Sequence, residues 1–154
     1  MRTLQQEIGK KTPFALPEEE AYLNLLRTTA IVTVRFERLF KRHGLSEPTY
    51  NVLRILRGVG KEGASCGLIR DRLVSQVPDV TRLVDRLVER GLVERDRTET
   101  DRRVVINRVT RKGLELLSEL DEPAHAIHRQ QFKHMTKAEL ADLNRLLTKA
   151  RNPT

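Results

Sequence analysis

The sequence predicts a mainly α-helical fold with one small β-hairpin and longer helices at both ends. Three observations predict it. Apolar residues recur at helical spacing in several segments, capping residues and glycines separate these segments, and two strand-like runs surround a charged turn near residues 95–103. The 154 residues are enough for one domain with a core, or for a compact core with additional helices that serve self-association.

The N-terminal part predicts an arm and one long helix. Residues 1–16 lack clear periodicity, so we expect a mobile arm. The helix begins at Pro17, with three acids in its first turn, and Gly44 ends it. Residues 17–45 are therefore predicted to form an N-terminal dimerisation helix.

Residues 46–109 predict three short helices and a hairpin. Ser46 and Ser65 are expected to cap the first two helices. The third is predicted from about Pro78 to Arg90, with Arg90 as an intrahelical partner of Glu89 or Glu94. The strand-like runs that follow are Leu92–Arg95 and Arg103–Val109. This order is the winged helix-turn-helix arrangement of DNA-binding domains, in which the hairpin is the wing.

The C-terminal part, residues 110–154, predicts two further dimerisation helices. Thr110 opens a long helix that Pro123 should kink or split. Thr136 and Glu139 form a capping box at the start of the last helix. The flanking helices are more apolar on one side than a small domain requires, which predicts a homodimer. The leucines expected in its interface are Leu23, Leu26, Leu140, Leu143 and Leu147; the alternative is that they pack within one chain.

The composition favours a polyanionic partner. Lys and Arg number 29 against 21 Asp and Glu, a formal net charge of +8, which suits nucleic acid or an anionic membrane surface. No apolar run approaches the roughly 18 residues of a membrane span, and the first residues do not resemble a signal peptide. A single cysteine, Cys66, fits a reducing compartment. We therefore expect a cytoplasmic protein without a membrane partner, and the low aromatic content disfavours a single-strand reader.

The third short helix is the predicted recognition helix. In a helix-turn-helix its N-terminal residues reach base edges in the major groove. Gln76 can pair with adenine through two hydrogen bonds, and Arg82 can reach a guanine or a phosphate. The predicted DNA-binding residues here are Ser75, Gln76, Pro78, Asp79, Thr81, Arg82 and, further along, Arg86. The alternative is that these polar residues only solvate a surface helix.

The segment from Val80 to Gly113 resembles the central signature of the MarR-type winged-helix transcriptional regulators. The matching motifs are Thr81-Arg82-Leu83, Asp85-Arg86-Leu87, Gly91-Leu92-Val93, Asp101-Arg102-Arg103, and Thr110 with Gly113. The helix order agrees from about Pro17 to Ala150, and Val109 stands where the family often has Leu. The resemblance implies a homodimeric regulator of double-stranded DNA with a pseudo-palindromic operator, a repressor that a small-molecule effector releases.

The resemblance also implies roles in the wing. Arg103 would enter the minor groove or grip its edge, while Asp101 orients an arginine and holds the turn. Phosphate contacts would come from Arg95, Arg97 and Arg102. The apolar run Val104-Val105-Ile106 would fix the wing to the core. The alternative is a solvated hairpin loop with local ion pairs.

Regulators of this family commonly bind small aromatic or phenolic compounds between the dimerisation helices and the DNA-binding domain. A small aromatic effector is therefore a further expected partner, although the sequence does not identify it. The aromatic residues that would line a pocket, or pack in the core, are Phe36, Phe40, Tyr50 and Tyr22.

No cofactor, metal or enzymatic activity is predicted. Three histidines and Glu122 suggest a metal site, but Pro123 disrupts the helical spacing that it would need. These histidines are His125, His128 and His134. Cys66 is interpreted as a small buried hydrophobe rather than an oxidant sensor. The chain lacks the motifs of phosphate loops and zinc proteases. The remaining alternatives are a winged-helix module for protein docking and an architectural DNA binder without sequence preference.

Overall fold

The computed structural model describes residues 2–97 and 105–152. Its helices are α1 (Leu4–Glu7), α2 (Pro17–Arg42), α3 (Glu47–Val59), α4 (Cys66–Arg72), α5 (Val80–Glu89), α6 (Arg111–Gln131) and α7 (Lys137–Arg151). A 3-10 turn, Gly60–Glu62, follows α3, and the strands are β1 (Val93–Arg97) and β2 (Val105–Val109). This order confirms the predicted fold class, mainly α with one small hairpin.

The core is centred on α3. Val52, Leu53 and Leu56 of α3 are fully buried, and α4, α5 and α6 close around them. The side chains that these helices bring to α3 include Ile69, Val84, Leu87, Leu117 and Leu120. Full burial of each such side chain contributes roughly 1.5–3 kcal/mol, so the apolar stripes hold these helices together.

Short polar residues begin most of these helices, as the sequence predicts. Ser46 Oγ accepts the Thr49 N–H at 3.4 Å, and Ser65 Oγ accepts the Leu68 N–H at 3.2 Å. At α7, Thr136 and Glu139 make the reciprocal hydrogen bonds of the predicted capping box. Each cap satisfies a backbone N–H that has no partner inside its helix.

The wing packs on the core through its base. β1 and β2 pair antiparallel, from Val93 opposite Val109 to Arg97 opposite Val105. Ala64 and Asn107 then exchange two backbone hydrogen bonds of 2.9 Å, which attach β2 to the loop before α4. This loop passes so close that a Cβ on Gly63, whose φ is +66°, would lie 2.7 Å from the Asn107 carbonyl oxygen. Glycine is therefore required there.

Three predictions about the helices need correction. The arm of residues 1–16 contains α1, in which Leu4 is buried and Glu7 pairs with Arg27 of α2 at 3.1 Å. The recognition helix begins at Val80 instead of Pro78. Of the two effects predicted for Pro123, the split does not occur, because α6 runs continuously from Arg111 to Gln131, and the kink stays a prediction. The predicted mobility of the arm stays a prediction.

The anchor of the wing includes a buried residue that the prediction left out. Val105 and Ile106 are half-buried, whereas the polar residue Asn107 is the fully buried position of β2. Its hydrogen bonds to Ala64 explain how a polar side chain can lie in the core. Val104 lies outside the described residues.

Among the described residues, no helix combines the length and the hydropathy that crossing a membrane would require.

Candidate nucleic-acid interface

The turn between α4 and α5 presents most of the predicted major-groove residues. Gln76 and Pro78 are exposed there, and Thr81 is exposed in the first turn of α5. Ser75 is different, because it is half-buried and its hydroxyl finds no hydrogen-bond partner in the described part of the chain. The structure thus brings the predicted residues to one end of α5, with Ser75 facing inward.

Asp79 is the N-cap of α5. Its Oδ1 accepts the Arg82 backbone N–H at 3.0 Å, which explains why the helix begins one residue after it. Asp79 therefore has an identified role in building the recognition helix. Its predicted DNA contact stays a prediction.

The two arginines of α5 point away from the core. Val80, Val84 and Leu87 bury one face of the helix, which leaves Arg82 and Arg86 exposed on the other. Within residues 2–97 and 105–152, neither guanidinium lies in an ion pair. Their charge is available to an anionic partner.

Arg90 at the end of α5 has a structural role. Its Nη1 donates to the Gly44 carbonyl at 2.6 Å, and its Nη2 donates to the His43 carbonyl at 2.8 Å. These carbonyls lie just beyond the end of α2, where a cation is favourable. The predicted partnership with Glu89 or Glu94 is therefore wrong, and Arg90 ties the recognition helix to the end of α2.

One ion pair stabilises the wing internally, and another joins it to the recognition helix. Arg108 binds Asp96 across the hairpin at 2.6 Å, and its Nε donates to the Lys61 carbonyl at 2.7 Å. Arg95 binds Asp85 of α5 at 2.5 Å. These contacts hold the base of the hairpin beside the recognition helix.

Several residues that were predicted to contact DNA from the wing lie wholly or partly outside the described residues. Arg97 ends β1, and its side chain is outside the described part of the chain. Asp101, Arg102 and Arg103 also lie outside the described residues. Arg95 is described, and the structure places it in contact with Asp85 and Asn107.

Sequence reasoning missed Asn107. Its Oδ1 accepts the Arg95 Nε–H at 3.1 Å, and its Nδ2 donates to the Ala64 carbonyl at 2.9 Å. A signal was present, because a lone amide follows three apolar residues in the Val104–Asn107 run. A polar side chain that is buried in a strand needs specific hydrogen-bond partners, and this requirement could have identified Asn107.

A cavity of about 360 Å³ lies between α2, α3 and α6. Aromatic rings form much of its wall. Phe40 and Tyr50 stack with their ring centroids 4.2 Å apart, and the mutually tilted rings of Phe36 and His128 have centroids 4.6 Å apart. Phe36, Phe40 and Tyr50 were among the residues predicted for a pocket. Tyr22 is exposed and does not line this cavity.

His128 favours its neutral form at the cavity wall. Partial burial lowers the pKa of its imidazole, and its neighbours His125 and Arg54 lower it further. In the described ranges, no group of three or more histidine, cysteine or acidic side chains is arranged to hold a metal ion. Cys66 is half-buried, and its Sγ lies 3.8 Å from Asn107 Nδ2.

The predicted interface leucines fall on the flanking helices and are incompletely covered. Leu26 of α2 is 50% exposed. Leu23 lines a shallow cleft with Leu4 and Ile8, so part of its surface is covered by the arm. Leu140, Leu143 and Leu147 of α7 are half-buried.

Comparison with known proteins agrees with this architecture. The model of the MarR family matches residues 43–104, which include α3, α4, α5 and β1. The HTH-type transcriptional repressor IacR of Pseudomonas putida is 31% identical over 130 residues, 84% of this chain and 77% of that protein.

Solved structures extend the similarity over the flanking helices. A MarR transcription factor from Planctomyces limnophilus superposes with a TM-score of 0.68 at 43% identity, over 89% of this chain and 98% of that one. An organohalide-sensing transcriptional regulator in its 2,4-dichlorophenol-bound form gives a TM-score of 0.82 at 19% identity, over 100% of this chain and 90% of that one. This chain belongs to the MarR family and is a DNA-binding transcriptional regulator.

Proposed function

We propose that the chain acts as a homodimeric repressor that binds a pseudo-palindromic operator. Two copies of α5 would enter major grooves about one helical turn apart, and the wings would reach the adjacent minor grooves. One observation carries this proposal: the exposed residues at the start of α5, with Arg82 and Arg86 outward, lie beside a wing that the Arg95–Asp85 ion pair joins to the same helix. The formal net charge of +8 favours association with DNA.

The division of roles follows from position. Gln76 and Arg82 are proposed to contact base edges, because they flank the exposed start of α5. Thr81, Arg86 and Arg97 are proposed to contact phosphates or the groove edge. Arg103, with Asp101 and Arg102, is proposed as the minor-groove element of the wing.

Incomplete burial supports the dimer. Apolar side chains of α2 and α7 remain exposed, among them Leu25, Leu26, Ile31 and Leu146. Burial against a second copy would remove this apolar surface from water. The same helices would then set the separation of the two recognition helices.

The aromatic cavity is the proposed effector site. Its wall includes Val74, which precedes Ser75 and Gln76 in the turn before α5. A small aromatic molecule would therefore contact both the flanking helices and the DNA-reading turn. Binding in a conformation that does not fit DNA would release the operator. The dichlorophenol complex of the organohalide-sensing regulator offers a probe of suitable size.

The operator test is a selection followed by affinity measurement. Duplexes selected from a random pool would be titrated by fluorescence anisotropy with the wild type, Gln76→Ala, Arg82→Ala and Lys133→Ala. Lys133 is exposed between α6 and α7, so its variant controls for the loss of one positive charge. We expect Arg82→Ala and Gln76→Ala to weaken binding to the selected duplex by about 1–3 kcal/mol each if they contact bases.

The outcomes separate the alternatives. A selected duplex with inverted half-sites supports the dimeric repressor. Salt-dependent binding without any selected duplex would indicate an architectural DNA binder. No binding at any salt concentration would indicate a protein-docking module.

The effector test uses 2,4-dichlorophenol, with Phe36→Ala as the cavity variant. We expect the compound to displace the selected duplex from the wild type and to act more weakly on the variant. Displacement of equal strength from both proteins would contradict the assignment of the cavity.

A further inference from the structure

We propose that Arg95, held in place by buried Asn107, is a positioning residue that fixes the wing relative to the recognition helix. In this role it sets how much more tightly the regulator binds its operator than other DNA. The role rests on the proposed function, because α5 and the wing must bind one duplex together. It replaces the phosphate contact expected for Arg95 from the sequence.

Arg95 is engaged from two sides. Its Nη1 lies 2.5 Å from Asp85 Oδ1 on α5. Its Nε donates to Oδ1 of Asn107, the residue directly opposite it on β2, at 3.1 Å. Nε and Nη1 of the guanidinium are thus both engaged within the protein, one of them in a charge-assisted hydrogen bond. The arrangement therefore favours a link between wing and helix over a contact with DNA.

Asn107 holds this arrangement from inside the core. It is 0% exposed, and its Nδ2 donates to the Ala64 carbonyl at 2.9 Å. Both ends of the amide are thus hydrogen-bonded, one to Ala64 and the other to Arg95. Turning the amide would leave buried polar groups without partners, at a cost that keeps its orientation fixed.

The resulting chain of contacts connects the parts that must meet DNA. Asp85 belongs to α5, Arg95 to β1, Asn107 to β2, and Ala64 to the loop before α4. An operator complex requires the helix and the wing to reach two grooves at once, so prior fixation of their geometry lowers the ordering cost of binding. Non-specific binding depends mainly on charge and needs this geometry less.

The direction in which Asp85→Asn changes DNA affinity distinguishes a positioning role from a purely electrostatic one. Asp85→Asn removes a negative charge from α5, so a purely electrostatic role predicts tighter binding to every duplex. A positioning role predicts weaker binding to the selected duplex. Glu89→Gln is the matched control, because Glu89 lies exposed on the same helix and makes no ion pair within the described ranges.

The experiment compares two duplexes, the one that the wild type selects from a random pool and a scrambled duplex of equal composition. Anisotropy titrations across salt concentrations would use Asp85→Asn, Arg95→Gln, their double variant and Glu89→Gln. We expect Asp85→Asn and Arg95→Gln each to lower the affinity for the selected duplex about tenfold. The double variant should lose no more affinity than the single variant that binds less tightly, because both changes break the same contact. Affinity for the scrambled duplex should fall much less for Arg95→Gln and should not fall for Asp85→Asn, because non-specific binding depends mainly on charge.

Asn107→Leu separates positioning from folding. Leucine removes the amide from a buried site, and both of its partners keep a way to hydrogen-bond. The Ala64 carbonyl still accepts the backbone N–H of residue 107 at 2.9 Å, and the Nε–H of exposed Arg95 can donate to water. We expect an unchanged melting temperature with a lower ratio of selected to scrambled affinity. A ratio that falls only in parallel with the melting temperature would assign Asn107 to stability alone.

Other outcomes also decide. If Arg95→Gln weakens both duplexes equally and reduces the salt slope by about one, Arg95 is a phosphate contact and the inference is overturned. The inference is also overturned if Asp85→Asn behaves like Glu89→Gln. A wild type that selects no duplex overturns the proposed function together with this role, whereas a selected duplex bound equally by all variants overturns this role alone.

Discussion

The central helix α3 and the flanking helices α2 and α7 differ in how much of their apolar surface is buried within one chain. α3 buries Val52, Leu53 and Leu56 completely within one chain. By contrast, α7 has no fully buried residue within its span, and α2 leaves Leu26 half-exposed. The difference indicates that the DNA-binding part completes its core within one copy, whereas α2 and α7 keep apolar surface that the proposed second copy would cover.

The sharpest test of this comparison removes the same side chain from both regions. Leu53 is 0% exposed, so Leu53→Ala should lower the free energy of unfolding by about 2–5 kcal/mol, through lost burial and a cavity. Leu146 is 52% exposed, and Leu146→Ala should cost less and only to the extent that the dimer forms. Denaturant titrations at two protein concentrations measure both. Equal losses in the two variants would break the comparison.

The second test asks what covers the flanking helices. Leu26→Glu should convert the protein to a folded monomer, because a buried carboxylate in an apolar interface is costly. Sedimentation velocity reports the mass, and circular dichroism reports the fold. Val74→Glu is the control, since Val74 is 82% exposed but lies in the DNA-reading turn, so its variant should remain dimeric. A monomeric wild type, or a dimeric Leu26→Glu variant, would contradict the prediction.

A third test concerns the ion pair that joins the two regions. Arg57 of α3 donates to both carboxylate oxygens of Asp121 on α6, at 2.8 and 2.9 Å. This hydrogen bonding lowers the pKa of Asp121 below its ordinary value of 3.8. Because both side chains are about one-third exposed, we expect Asp121→Asn to cost only about 1 kcal/mol at neutral pH.

The contribution of this ion pair to the free energy of unfolding should be lost in acid. A lowered pKa in the folded state means that the stabilisation is present above pH 3.8 and is lost as the pH falls through the folded-state pKa. Denaturant titrations of wild type and variant should therefore converge in acid. Glu115→Gln is the control, because its pair with Arg111 is exposed and should contribute little. A difference that persists well below pH 3.8 would be inconsistent with the ion pair.

The smallest expected effect lies at the start of α7. Thr136→Ala removes the hydroxyl that accepts the Glu139 N–H at 3.2 Å and should cost about 0.5–1 kcal/mol. The loss should be local, since α7 contributes no fully buried side chain. Amide hydrogen exchange should accelerate in its first turn, and Thr136→Ser should restore protection. Unchanged exchange in Thr136→Ala would show that packing, rather than the cap, holds the first turn of α7.

Local features of the sequence were sufficient for most elements. Ser46, Ser65 and Thr136 cap the helices that they were predicted to cap, because a cap joins residues only three positions apart. For Pro123 the sequence predicted a kink or a split, and the split does not occur, since a proline removes one hydrogen bond from a helix that packing can still hold. Asp79 was predicted for DNA, although its position before an apolar stripe also fits an N-cap.

The sequence by itself determined the order of helices and hairpin, the apolar stripes and the exposed arginines of α5. These follow from periodicity and capping, which act between near neighbours in the chain. The tertiary structure decided that Arg90 holds the end of α2, across 46 and 47 positions, and that Asn107 is buried between Arg95 and Ala64. Such contacts depend on which distant segments meet, and a polar side chain acquires its partners only when the chain has folded around it.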